Sequence, residues 1–262
     1  MIVFLCLITL LSPLINACFP GSGSGGGGGV TGIRCSGKPE KWGLLIGNSY
    51  TDSGVDTKVK SFLEASEPGY CWRVSKYVKG GQTLAGHAND PTLTNKLKNS
   101  GYDFVVIQAQ SQEPSFSQAY VETHVFPAAK RLVQNIRAGS PKADIVFFDT
   151  WGRRNGFDPM QKLLTDRYVE MAKMNKPAKV APVGEAFRLL MERDRTMFMG
   201  LYTSDNSHPS KSGAYTAASV ISQTITGKSN EGSSFRDGFG ESANIYNKAG
   251  NDAVTSRNWI FN

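Results

Sequence analysis

The sequence contains few of the residues that bind metals or cofactors. It has 3 histidines and 4 cysteines among 262 residues, and none of them falls at the spacing of a zinc site. The glycine run at residues 25–29 lies in a flexible segment rather than between a strand and a helix, where a phosphate-binding loop would lie. We therefore expect neither a metal nor a cofactor.

The sequence also lacks concentrated patches of one charge. It has 29 Lys and Arg against 22 Asp and Glu, a net charge of +7, but the basic residues are dispersed. The densest clusters are at residues 153–154 and 193–195, and no basic stripe with interleaved aromatics appears. The charge therefore predicts a solvated surface and no nucleic-acid partner.

Residues 1–17 carry no charge at all. Their apolar run is too short to span a bilayer, and it ends at Ala17, a small residue suited to signal cleavage. We predict a signal peptide and export to the periplasm, the outer membrane or the exterior. Residues 14–18, followed by a Gly/Ser-rich tether over 18–37, resemble a bacterial lipoprotein signal. That resemblance implies a lipid on Cys18 as the only link to a membrane.

The few cysteines leave two readings open. Removal of the signal peptide takes away Cys6 and leaves Cys18, Cys35 and Cys71. If Cys18 carries lipid, the other two can pair, because each lies shortly before a predicted strand and neighbouring parallel strands start on the same side of a sheet. The alternative is two buried free thiols.

Residues 38–262 alternate apolar strands with amphipathic helices. The five strands lie at about residues 42–46, 72–78, 102–107, 145–148 and 179–181. Continuous apolar runs of this kind are typical of parallel strands buried on both faces. We predict one α/β domain, a three-layer α/β/α sandwich with a five-stranded parallel sheet in flavodoxin-like order and the first strand central. A loop is expected at 197–207.

The first strand ends in a candidate nucleophile. Residues 47–51 read Gly-Asn-Ser-Tyr-Thr, which would place the Ser49 hydroxyl at the carboxyl edge of the sheet, where α/β proteins bind ligands. Asp205 and His208 lie three residues apart, so the carboxylate can reach the imidazole and orient it as a base for serine. Of the other histidines, His87 follows a glycine turn and would line the pocket or lie in a solvated loop, and His124 falls in a helix.

Together these motifs resemble the SGNH (GDSL-type) hydrolases over about residues 42–226. Residues 47–51 look like the first block of that superfamily, with Asn48 where Asp is common. Residues 81–83 (Gly-Gln-Thr) are similar to the second block, and residues 205–209 (Asp-Asn-Ser-His-Pro) match the last. Gly-x-Asn-Asp of the third block is replaced by residues 110–112 (Gln-Ser-Gln), as in a secreted bacterial branch with glutamine there.

The resemblance implies an oxyanion hole. The backbone N–H groups of Ser49 and Gly81 would supply two donors, and a glutamine amide would supply the third. Counting register along the strand favours Gln112, whereas the family resemblance favours Gln110. We choose Gln110.

The resemblance also implies a serine esterase. Exported enzymes of this kind often remove acetyl groups from polysaccharides, so we expect an acylated glycan as the substrate. Tyr50, Trp151 and Tyr202 would stack on its sugar rings, or else pack in the core or at the pocket rim. Two alternatives remain: a short-chain carboxylesterase or lipase-like enzyme, and a non-catalytic glycan-binding surface protein.

Overall fold

The computed structural model describes Cys35 and residues 37–262, which form one six-stranded sheet with helices on both faces. The predicted signal peptide, Cys18 and most of the predicted tether lie outside the described residues. The strands are β1 (Glu40–Gly47), β2 (Cys71–Val78), β3 (Phe104–Ile107), β4 (Asp144–Asp149), β5 (Ala178–Pro182) and β6 (Ile260–Phe261).

The strand order is β2-β1-β3-β4-β5-β6. The first five strands are parallel, which confirms the predicted α/β class and the internal position of β1. The sixth strand was not predicted. It pairs with β5 in antiparallel fashion through only two residues, too few to leave a hydrophobic pattern in the sequence.

Eleven α-helices are present in the part of the chain that the structure describes. They are α1 (Ser49–Asp52), α2 (Val55–Ser66), α3 (Leu84–Ala88), α4 (Pro91–Lys98), α5 (Gln118–Tyr120), α6 (Phe126–Gly139), α7 (Phe157–Met174), α8 (Val183–Arg193), α9 (Arg195–Gly200), α10 (Lys211–Thr226) and α11 (Ser242–Thr255). None of the helices at residues 37–262 is long and apolar enough to cross a membrane.

The two faces of the sheet are buried in separate clusters. Leu45 and Val106 point into the cluster with α2, α8, α10 and α11, while Leu44 and Val105 point into the cluster with α3, α4, α6 and α7. All four side chains are fully or almost fully buried. Because successive strand residues face opposite sides, the unbroken apolar runs supply both layers at once, as predicted.

The predicted loop at 197–207 starts instead within helix α9. The Asp194 side chain accepts hydrogen bonds from the backbone N–H groups of Thr196 (2.8 Å) and Met197 (3.2 Å), which caps the helix. Phe198 is fully buried against the core and holds the helix in place. The loop proper begins after α9 and leads to Asp205 and His208.

Cys35 and Cys71 form a disulfide, with their Cα atoms 5.6 Å apart. The bond joins the segment before β1 to the first residue of β2, where the backbone N–H of Cys71 also donates to the carbonyl of Pro39 (2.9 Å). The structure thus has the predicted pairing rather than two free thiols.

We expect the double variant Cys35→Ser/Cys71→Ser to unfold more easily. The disulfide closes a loop with a sequence separation of 36 residues, and loss of a bond of this kind typically lowers the free energy of unfolding by about 2–4 kcal/mol. Urea unfolding followed by circular dichroism measures this change. A reductant should reproduce the loss in the wild type and leave the double variant unaffected; equal stability of both oxidised proteins would contradict the prediction.

Candidate active site

Ser49 lies where β1 passes into α1, at the carboxyl edge of the sheet, and its side chain is half-buried. The Asn48 side chain caps the helix by accepting a hydrogen bond from the Tyr50 N–H (3.2 Å). A Cβ atom at Gly47 would collide with the side chains of Gln108 and Thr51, so only glycine fits immediately before this turn. The local sequence therefore builds a tight turn that presents the serine hydroxyl.

The structure brings Ser49, His208 and Asp205 into one hydrogen-bonded chain. Ser49 Oγ lies 2.8 Å from His208 Nε2, and His208 Nδ1 hydrogen bonds to Asp205 Oδ2. The hydrogen bond from His208 is the main reason that the pKa of the Asp205 carboxyl is held well below its usual range. This arrangement can withdraw the proton of a serine hydroxyl and stabilise the resulting imidazolium.

The other carboxylate oxygen of Asp205 holds the loop itself. Asp205 Oδ1 accepts hydrogen bonds from the N–H groups of Ser207 and His208, both at 2.9 Å. The Thr203 N–H donates to the His208 carbonyl (2.9 Å), which closes the loop, and Asn206 adopts a left-handed conformation with φ of 62°. One aspartate thus fixes both the backbone and the imidazole.

The aromatic residues expected to stack on sugars are buried, which corrects that prediction. Trp151 lies between Tyr50 and Phe187, with ring centroids 4.5 and 4.7 Å away and nearly parallel planes. Tyr50 is 1% exposed, Trp151 0% and Tyr202 5%, so no ring face is free for a ligand. The alternative given above, packing in the core, describes all three.

Instead, these aromatic residues pack beneath the surface and contact the loop that carries His208. The Tyr50 hydroxyl and Ser207 Oγ are hydrogen bonded at 2.8 Å, and the Tyr50 ring meets His208 edge-on with a centroid distance of 5.5 Å. The Trp151 indole N–H donates to the Ser207 carbonyl (2.9 Å), and the Tyr202 hydroxyl donates to the Gly152 carbonyl (2.9 Å). The stack therefore positions the loop that carries His208.

Sequence reasoning missed Gln108, which is fully buried next to the serine turn. Its Oε1 accepts from the Asn48 N–H (3.0 Å) and from the Thr51 hydroxyl (2.8 Å), and its Nε2 donates to Asn48 Oδ1 (2.9 Å). The available signal was a polar amide directly after the apolar run of β3, at the same sheet edge as Ser49. Gln108 is a positioning residue for the turn.

We expect Gln108→Leu to weaken both the fold and catalysis. It leaves the Asn48 N–H and the Thr51 hydroxyl buried without their acceptor, which costs about 1–3 kcal/mol of unfolding free energy. Movement of the turn should lower kcat by about tenfold with a smaller change in KM, because the effect falls on the reacting serine. Steady-state kinetics and urea unfolding test this. Gln118→Leu, at an exposed glutamine, is the matched control, and equal effects of the two variants would contradict it.

The predicted oxyanion donors differ in their surroundings. Gly81 is exposed and has a φ of 65°. Asn48 Nδ2 donates to the carbonyl of Gln82, the residue after Gly81 (3.4 Å), and this bond connects the Gly81 loop to the serine turn. Gln110 Oε1 accepts from the N–H groups of Gln112 (2.8 Å) and Glu113 (3.1 Å). These bonds fix the orientation of the Gln110 amide, and its Nε2 donates to Ser111 Oγ (3.4 Å). The Gln112 side chain, in contrast, is exposed.

The other two histidines, His87 and His124, lie in helical segments before and after β3. His87 is fully buried in α3 rather than in a solvated loop, and its Nε2 donates to the Gly47 carbonyl (2.9 Å). Its buried Nδ1 has no partner among residues 37–262, and burial lowers the pKa of the ring. His124 is exposed in a π-helical turn (Val121–Val125), beside the Tyr120 ring. His208 is thus the histidine that the structure brings to Ser49.

No protein-family model matches the chain, and no curated protein sequence matches it. Solved structures do match. A DUF4886 family protein from Bacteroides uniformis aligns with a TM-score of 0.68 and 16% identity, covering 82% of this chain and 95% of its own. A candidate SGNH hydrolase from Slackia heliotrinireducens aligns with a TM-score of 0.58 and 25% identity, covering 71% and 99%.

A third similar structure is a two-domain esterase active on acetylated mannans. It aligns with a TM-score of 0.52 and 17% identity, covering 72% of this chain and 50% of its own. The likeness thus extends over most of the described residues.

Proposed function

We propose that this chain, which has the fold of the SGNH hydrolase superfamily, is a serine esterase that removes acetyl groups from an extracellular carbohydrate. The observation that carries the proposal is the hydrogen-bonded chain of Ser49, His208 and Asp205 at the carboxyl edge of the sheet. A serine, a histidine and an aspartate hydrogen bonded in this order are suited to ester hydrolysis.

In the proposed mechanism, Ser49 Oγ attacks the acyl carbon while His208 Nε2 takes its proton. Asp205 orients the imidazole and stabilises its charged form. His208 then gives the proton to the departing sugar oxygen, which leaves an acyl group on Ser49. Water, deprotonated by His208, attacks this acyl group and releases the acid and the free serine.

The oxyanion would be held by the backbone N–H groups of Ser49 and Gly81 and by Gln110 Nε2. The fixed Gln110 amide supports this choice over the exposed Gln112. We expect Gln110→Glu to lower kcat by about 10²–10³, because it keeps the Oε1 acceptor but removes the donor. Kinetics of Gln110→Glu beside Gln112→Glu test this, and a larger loss in the second variant would transfer the role to Gln112.

The carbohydrate substrate is supported by the similar esterase active on acetylated mannans. Export is supported by the Cys35–Cys71 disulfide, since such bonds persist in oxidising compartments. We include in the proposal a signal peptide at residues 1–17 and a lipid on Cys18. The tether would then hold residues 38–262 near a bulky glycan outside the cell.

Release of p-nitrophenol from p-nitrophenyl esters of increasing chain length tests the proposal. We expect the chain from residue 30 onward, which keeps the Cys35–Cys71 disulfide, to hydrolyse the acetate fastest. A preference for long acyl chains would instead favour the lipase-like alternative. Absence of ester hydrolysis, together with retained binding to acetylated mannan, would favour the non-catalytic glycan-binding protein.

A further inference from the structure

Two consecutive arginines lie next to the proposed active site. Arg153 and Arg154 follow β4 at the carboxyl edge of the sheet, and both are half-buried. Arg73, Arg167 and Arg236 each pair with a carboxylate, whereas neither Arg153 nor Arg154 has an ion-pair partner within residues 37–262. Two cationic side chains therefore stand at this edge with their charge unneutralised.

The segment that carries the arginines is fixed to the loop that carries His208. The Arg154 N–H donates to the Asn206 carbonyl (3.0 Å), beside the bonds from the Trp151 indole to Ser207 and from the Tyr202 hydroxyl to Gly152. These contacts use the Arg154 backbone N–H, the Trp151 indole and the Gly152 carbonyl, and none of them uses a guanidinium group. The guanidinium groups are thus held near the site without being needed to hold the loop.

The side chains have unused hydrogen-bonding capacity. Arg153 Nη2 donates to Ser111 Oγ (3.2 Å), a neutral acceptor, and Arg154 Nε is buried without any acceptor in the described chain. A guanidinium has five N–H donors, and a buried donor without an acceptor is costly. Burial raises the pKa of the Tyr50 hydroxyl, and the charge of nearby Arg153 opposes part of that rise; the Tyr50 ring meets His208 edge-on. Arg153 therefore lies near the ring that contacts His208, and the backbone of Arg154 is bonded to the loop that carries His208.

We infer that Arg153 and Arg154 bind a carboxylate or sulfate group on the glycan, next to the acetyl ester. Arginine is suited to such groups because its planar fork donates two parallel hydrogen bonds to their oxygens. The inference rests on the proposed function for the position of the ester, but anion binding does not require turnover. The preferred substrate would thus be an acetylated acidic polysaccharide rather than a neutral one.

Binding in a Ser49→Ala background tests the inference separately from catalysis. Isothermal titration compares O-acetylated polygalacturonate with the same polymer after methyl esterification of its carboxylates, and O-acetylated dextran sulfate with O-acetylated dextran. We expect the acidic member of at least one pair to bind about tenfold or more tightly, with the preference decreasing at high salt. The pair that shows the preference distinguishes carboxylate from sulfate.

Arg153→Gln and Arg154→Gln, each added to this background, should remove most of the preference. Arg73→Gln makes the same change of net charge at the opposite, amino end of the strands, where Arg73 pairs with Glu40, and should keep it. Equal binding of acidic and neutral polymers, or an equal loss in all three variants, would overturn the inference. An anion preference in a wild type without esterase activity would uphold it while refuting the proposed function.

Discussion

Replacing Ser49 with alanine should lower kcat/KM for an acetyl ester by a factor on the order of 10⁴–10⁶. The loss is large because the nucleophile disappears, and the hydrogen bond from Ser49 to His208 (2.8 Å) has no substitute. Only the binding of substrate and the oxyanion donors would remain to assist attack by water. Hydrolysis of p-nitrophenyl acetate, followed at concentrations above and below KM, measures the change.

Ser53→Ala is the matched control for this variant. Ser53 lies one helical turn further, and its hydroxyl donates to the Ser49 carbonyl (2.8 Å), so the control perturbs the same turn without removing the nucleophile. We expect Ser53→Ala to retain most of the rate and both variants to keep the far-ultraviolet circular dichroism of the wild type. A Ser49→Ala protein with wild-type activity would remove Ser49 from the mechanism.

The substitution Asp205→Asn should lower kcat by a factor between about 10² and 10⁴. An asparagine Oδ1 can still accept the bonds from the N–H groups of Ser207 and His208, so the loop should persist. The amide nitrogen, however, would face His208 Nδ1 and donate to it. The imidazole proton would then sit on Nε2, which could no longer accept the proton of Ser49.

The effect of Asp205→Asn should fall on kcat rather than on KM or stability, because it changes a tautomer and not a binding surface. Asp205→Ala is the comparison, since it removes the loop bonds as well and should lower the melting temperature further. Kinetics and thermal unfolding of both variants test the point. If Asp205→Asn retained the wild-type kcat, the carboxylate would have no role in orienting His208.

The parallel sheet could be predicted because its strands are continuous apolar runs that face two cores. The SGNH fold that the motifs predicted is confirmed, and the structure brings Ser49 and His208 together from distant parts of the chain. Ser49 could be singled out because it follows the end of a strand, and His208 because it precedes a long helix and lies three residues after Asp205, within motifs that resemble SGNH blocks. Their catalytic roles remain predictions.

Other features depend on contacts that a sequence does not display. Gln108 acts on the serine turn through three hydrogen bonds across neighbouring strands, and its type alone does not distinguish it from Gln110 or Gln112. Trp151 could be assigned to a sugar platform or to the core, and only its position between two other rings decides for the core. The roles of Gln108 and Trp151 follow from their burial, which depends on the whole fold.

The activated state of Ser49 can be measured directly with a p-nitrophenyl alkylphosphonate, which transfers its phosphonyl group to a nucleophilic serine. The wild-type protein should release p-nitrophenol in a single burst, and peptide mass spectrometry should place the adduct on Ser49. Ser49→Ala should give neither the burst nor the adduct. An adduct on another residue, or ester hydrolysis by a wild type that the phosphonate does not modify, would contradict the assignment of Ser49 as nucleophile.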